Sequence, residues 1–385
     1  MFVFMTLVTA LAFSVASVYS APHGLRGRCK HTGKTLSSFA SAVAANTELA
    51  SSSIASIATP SSAPVTSSIA AASTSAAASS ASAPSVSSSS STRPSSSSSA
   101  AAPANTLLSA STLIRALLPV SQKQFWTTAQ GASKVLPMQD STFRPNSMLK
   151  DIAPVYVEHA GKSAMLAHFP QGSFIPSHTP RGGLSFYGPG PSNVDLTTAK
   201  EVTFGYSVFF PDGFDFVKGG KMPGIYGGDS EEGSKSCSGG SRNDACFSAR
   251  FMWRTGGAGE MYTYLPPSFK ANDNVCNIAP ESHCNPTYGA SVGRNSFQWK
   301  TGDWNTISQR VRLNDAGQQN GELEVFVEGK SVINVGGLVL RDGDAGRIRG
   351  MMMQTFFGGA DSSWATPKDQ DVHFADFSIA ITESL

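Results

Sequence analysis

Between about Ser37 and Asn105 the chain is written almost entirely in Ser, Ala, Pro and Thr, and this decides where a fold can exist. A stretch such as SSASAPSVSSSSSTRPSSSSSAAAP has no large side chains to bury, so it cannot offset the entropy of ordering its backbone. Residues 37–105 are therefore expected to be disordered, either as an O-glycosylated stalk or as a passive linker. The start, MFVFMTLVTALAFSVASVYSA, is an apolar run ending in small residues, with Val18 and Ser20 suitably placed before a cut. It reads as a signal peptide over residues 1–20, and so predicts a secreted, extracellular protein. Thr and Ser interrupt the run, and it is shorter than the ~20 strongly apolar residues a membrane span prefers. Residues 21–36 are too short to be a domain, and no later segment is apolar enough to span a membrane, so no membrane association is expected after cleavage. The fold is confined to residues 106–385.

Within that region LLSASTLIRALL, residues 107–118, has the apolar spacing of one short helix. Beyond residue 118 the chain alternates. VTFGYSVFF (202–210), CFSARFMW (246–253), MYTYL (261–265), TISQRVRL (306–313), ELEVFVE (322–328), IRGMMMQTFF (348–357) and VHFADFSIAI (372–381) are rich in β-branched and aromatic residues and are punctuated by Gly, Asn and Pro turns. Many short strands with almost no helix predict an all-β fold, a jelly roll or concanavalin-like β-sandwich. Such a fold can bend one sheet into a groove, but fold alone does not establish function.

The chain has 5 cysteines. In an oxidising compartment the close spacings predict disulfides Cys237–Cys246 and Cys276–Cys284, with Cys29 left over ahead of the stalk. A zinc site is disfavoured, because these are not CxxC spacings and His283 beside Cys284 is a single His. With 29 basic and 27 acidic residues the net charge is +2. That gives no general attraction to nucleic acid, so an acidic ligand would have to be met by a local patch.

Residues 246–266, CFSARFMWRTGGAGEMYTYLP, read as a hairpin turning at TGGAGE. Side chains alternate along a strand, so Ser248, Arg250, Met252 and Arg254 share one face while Phe247, Ala249, Phe251 and Trp253 share the other, which is core. A turn centred on Gly256 sets Arg250 opposite Tyr262 and Ser248 opposite Tyr264. Singly, each of these would pass as an ordinary sheet residue. Together they offer what eliminating a sugar from a uronic-acid polymer requires. A cation must neutralise the C6 carboxylate so that the C5 proton becomes acidic, a base must take that proton, and an acid must protonate the departing O4. Arg has a fork matched to a carboxylate, and Tyr and Lys exchange protons once neighbours shift their pKa.

The segments KMPGIYGG (221–228), CFSARFMWR (246–254), EMYTYLP (260–266) and GMMMQTFFGG (350–359), in that order, resemble polysaccharide lyase family 14, over roughly residues 201–381. The resemblance implies a β-jelly roll whose cleft is lined by Lys221, Ser248, Arg250, Tyr262 and Tyr264. It also implies an enzyme that cleaves glucuronan or alginate by β-elimination. Arg250 and Ser248 would help hold the carboxylate, and Lys221 and one tyrosine would share the base and acid roles. Arg254 is a further candidate substrate contact, and so is Gln354, for which structural hydrogen bonding is the equal alternative. No cofactor or metal is implied; the partner is an anionic polysaccharide, and a monomer is expected. The stretch GDSEEGSKSCSGGSRNDAC before Ser248 reads as a disulfide-bearing insertion.

Other patterns are weaker. Trp299, Trp304 and Trp364 could stack on sugars but read more readily as core. GASVG (289–293) matches GxSxG without the strand-turn-helix that a nucleophile elbow needs. Glu322, Glu324 and Glu328 read as a solvated outer face, not a glycosidase carboxylate pair. His373 reads as buried and structural. The alternatives from other classes are a polysaccharide-binding β-sandwich module without activity and a β-sandwich glycoside hydrolase.

Overall fold

The computed structural model describes residues 109–385. The signal-peptide, stalk and Cys29 expectations lie outside the described residues. Among the described residues the one α-helix of more than one turn is Ala110–Leu117. Ser109 caps it by accepting the Thr112 amide on its Oγ, and Leu113, Ala116 and Leu117 are buried. A second, four-residue helix, Asp140–Phe143, was not expected from the sequence.

The rest is two antiparallel sheets. The back sheet runs Lys330–Leu338, Gly321–Val327, Trp304–Arg312, Ala199–Phe209, Gln370–Ser384, Lys162–Phe169 and Val155–His159, with Gln124–Thr127 also paired to 370–384. The front sheet runs Leu184–Gly188, Arg347–Phe357, Gly219–Gly228, Cys246–Arg254, Ala258–Tyr264, Ala290–Gln298 and Glu281–Cys284. One apolar core fills the space between them, joining Phe204, Tyr206 and Phe374 of the back sheet to Phe251, Trp253 and Met353 of the front sheet. Tyr206 and Phe251 meet edge to face at 5.8 Å across that interface. This is the sandwich expected, with the helix on the outer face of the back sheet, where the Leu117 carbonyl sits so close that a Cβ on Gly205 would lie 2.4 Å from it.

All seven expected strands are present, displaced by a few residues at their ends. The central strand Gly219–Gly228, with its five glycines, was not among them. The glycines are needed because neighbours press on the backbone. A Cβ on Gly220 would lie 2.0 Å from the Trp253 ring, and one on Gly224 2.0 Å from the Ala249 carbonyl oxygen. Lys221 thus stands on a rigid strand in mid-sheet. Both expected disulfides are formed, Cys237–Cys246 and Cys276–Cys284.

Candidate active site

The hairpin Cys246–Arg254 and Ala258–Tyr264 pairs Ser248 with Tyr264, Arg250 with Tyr262 and Met252 with Glu260. Phe247, Ala249, Phe251 and Trp253 are wholly buried in the core. The opposite face therefore carries Ser248, Arg250, Tyr262 and Tyr264 side by side. The neighbouring strand sets Lys221 beside Met252. Its Nζ lies 3.9 Å from the centre of the Tyr262 ring and 3.3 Å from Met252 Sδ. From the strand beyond, Gln354 Oε1 accepts a hydrogen bond from Arg250 Nη1 at 3.3 Å. The Arg254 guanidinium lies over the Tyr262 ring at 5.9 Å from its centre, so each of the seven proposed site residues touches or pairs with another of them.

Arg250 is 2% exposed, yet among the described residues no carboxylate lies within ion-pair distance of it, and its Nε–H has no acceptor. Burying a cation without a counter-charge is costly, so this geometry suits an anion that arrives from outside. Burial, together with the charges of Arg250 and Arg254, pushes the Lys221 amine well below the ordinary lysine range, against an opposing pull from Glu260. The Tyr262 phenol is pushed the other way by burial and by Tyr264, so it keeps its proton, with Arg254 and Arg250 pulling back. The front sheet thus holds the Lys221 amine and the Tyr262 phenol in contact, their proton affinities shifted in opposite directions, beside a fixed guanidinium.

The segment between Gly228 and Cys246, stapled by Cys237–Cys246, walls one side of this cluster. Ser248 Oγ donates to the Cys237 carbonyl at 2.7 Å, the Gly240 amide donates to Tyr264 Oη at 3.0 Å, and Tyr187 Oη donates to the Lys235 carbonyl at 3.1 Å. With its proton committed, Ser248 has only lone pairs to offer the cleft, which disfavours a carboxylate and favours a sugar hydroxyl.

Sequence reasoning missed Glu260. This carboxylate is completely buried on the site face, ion-paired to Arg254 Nη2 at 2.6 Å and Arg294 Nε at 2.9 Å, and accepts from Ser291 Oγ at 2.5 Å. The parity of EMYTY, which places Glu260 on the face of Tyr262 and Tyr264, was the available signal. Arg254 is held by this pair at the margin of the cluster. Ser291, from GASVG, lies on strand Ala290–Gln298, not on a nucleophile elbow.

Trp299 is core, packed on Phe210 and Phe297, and Trp304 packs on His159 and Phe209. Trp364 is half-buried against the cluster of Met252, Tyr262 and Tyr264. His373 is buried and stacks on His159 at 3.6 Å in the back sheet. The expected solvated glutamate face is instead largely neutralised: Arg310 joins Glu201, Glu322 and Glu324, while Glu328 lies outside the strand at a positive φ of 49°. Among the described residues no group of His, Cys, Asp and Glu is arranged to hold a metal ion.

The β-sandwich thus gathers cations, tyrosines and a glutamine on one sheet face. The polysaccharide lyase 14 family model matches residues 157–377, and the chain belongs to that family of polysaccharide lyases. The alginate lyase of Aplysia kurodai is 30% identical with a TM-score of 0.57, covering 68% of this chain and 100% of its own. The alginate lyase of a Chlorella virus is 25% identical with a TM-score of 0.52, covering 62% of this chain and 93% of its own. No curated protein matches the chain at a significant level.

Proposed function

We propose that the chain is an extracellular lyase that cleaves a uronic-acid polymer, glucuronan or alginate, by β-elimination at Lys221, Ser248, Arg250, Tyr262 and Tyr264. The observation that carries this reading is the buried Arg250 guanidinium without a counter-charge. Arg250 takes the C6 carboxylate on its fork, with Gln354 holding Nη1 in place. Neutralising the carboxylate makes the C5 proton more acidic. The Lys221 amine, kept toward its neutral form by burial and by Arg250 and Arg254, removes it. Electrons from the C5–H bond form the C4–C5 double bond, the C4–O4 bond breaks, and the Tyr262 phenol delivers its proton to O4. Tyr264 orients the glycosidic oxygen, and Ser248 accepts a hydrogen bond from a sugar hydroxyl. Arg254 meets a neighbouring uronate from its tether on Glu260.

Incubation of the protein with glucuronan, polymannuronate and polyguluronate tests this. Elimination produces ultraviolet absorbance from the new conjugated double bond together with reducing ends. Reducing ends without absorbance would make the protein a hydrolase, and retention on the polymer without either would make it a binding module.

A further inference from the structure

One cavity among the described residues lies away from Arg250. It has a volume of about 230 Å³ and is bounded by Arg242, Thr263, Phe269, Asp273 and Tyr288, with Leu265 and Val275 from the core as its apolar floor. It adjoins the candidate active site through the disulfide loop. Gly240, whose amide sits on Tyr264 Oη, is so close to Tyr288 that a Cβ there would meet the Tyr288 ring at 3.3 Å.

Two groups of this cavity face solvent beyond its apolar floor. Tyr288 is 42% exposed, one of five large apolar side chains at the surface of the described region. The Arg242 guanidinium is exposed, touches only the Asn285 and Pro286 carbonyls at 3.5 and 3.3 Å, and forms no ion pair among the described residues, Asp273 included. A flat aromatic ring, a guanidinium and a carboxylate around a small apolar floor are what one acidic sugar residue needs: the ring stacks on Tyr288, the carboxylate meets Arg242, and a sugar hydroxyl meets Asp273. The volume is below the ~300 Å³ at which pockets for drug-sized ligands begin, which suits a single sugar residue.

We propose that this cavity is a distal subsite that grips one uronate residue of the same polymer beyond the cleavage point, a proposal that rests on the function proposed above. It should matter for long chains and not for the shortest oligomer the enzyme cleaves, which cannot reach it.

The test uses the full chain and Tyr288→Ala and Arg242→Ala variants, with thermal melting to verify the fold. Each variant should raise KM on the polymer about tenfold, the equivalent of losing one good ring or charge contact. On the shortest cleaved oligomer kcat/KM should stay within about twofold of the parent. Native electrophoresis through gels containing each polymer should show weaker retardation of both variants. Equal losses on polymer and oligomer, or no loss on either together with unchanged retardation, would overturn the subsite. If the parent protein produces no unsaturated product at all, the proposed activity falls, and the gel retardation alone still decides whether the cavity binds the polymer.

Discussion

Replacing Arg250 by Met should make the protein more stable and nearly inactive. Arg250 is 2% exposed, its Nε–H has no acceptor, and its one side-chain hydrogen bond is the 3.3 Å contact from Nη1 to Gln354. Exchanging buried charges for apolar side chains of similar volume stabilises proteins by up to ~4 kcal/mol, even when the charges were paired. Losing the bond to Gln354 gives back about 1.5 kcal/mol, the lower end for a charged donor at a long distance. The net gain is at most about 2.5 kcal/mol, or up to roughly 5 °C in Tm at about 2 °C per kcal/mol for a domain of this size. Activity should fall by roughly three orders of magnitude, as when a preorganised donor to developing charge is removed. Thermal melting and the unsaturated-product assay on one preparation read both quantities. A variant that melts lower than the parent, or that keeps its turnover, would refute the reasoning, because Arg250 would then be structural or unneeded. Arg250→Lys separates charge from shape: it should fold and still lose most turnover, since an ammonium cannot make a planar two-pronged contact.

Tyr262→Phe should lose roughly two to four orders of magnitude in kcat with Tm hardly changed, because the ring stays buried and only the transferable proton goes; full activity would remove Tyr262 from the mechanism. Glu260→Gln leaves Arg254 and Arg294 without their shared counter-charge and should cost about 3 kcal/mol. Glu260 raises the Lys221 pKa, so the same variant should move the acidic limb of the kcat–pH profile to lower pH, and an unmoved limb argues against Lys221 as base. His373 is held neutral by burial and by His159, its pKa lowered to about 4. The unfolded chain binds more protons between ~6.5 and that value, so stability is lost as pH falls through this window, by about 3 kcal/mol in all. Melting curves of His373→Gln should flatten there; a parallel decline in both proteins would place the acid lability elsewhere.

How much was legible in the sequence depended on whether period-two patterning survived packing. The hairpin was readable to the residue because Phe247, Ala249, Phe251 and Trp253 mark the core face, which leaves Ser248 and Arg250 no alternative, and the short turn fixes the register to Tyr262 and Tyr264. Gly219–Gly228 was not readable as a strand. Its glycines answer to Trp253 and Ala249, contacts that exist only once the sheet is assembled, so local propensity gave no strand signal. Ala290–Gln298 was hidden for a related reason: its pairing shifts register between Val292 and Phe297, and that breaks the alternation. Glu260 has the right parity but looked like a turn residue, because the Arg294 that neutralises it comes from a strand the sequence did not reveal.

The site's rigidity stems from the same facts. Lys221, Arg250 and Tyr262 stand on three adjacent strands, so their mutual distances are set by ladder hydrogen bonds and not by loops. A one-residue slip of any strand would send its side chain into the core. The sheet can carry a buried cation there because the opposite face of the same strands, from Phe247 to Trp253, belongs to the large aromatic core. The stabilisation and the chemistry thus come from alternate residues of one segment. The strands fix Lys221, Arg250 and Tyr262, and the loop stapled by Cys237–Cys246 adds to this frame, holding Ser248 through the Cys237 carbonyl and Tyr264 through the Gly240 amide.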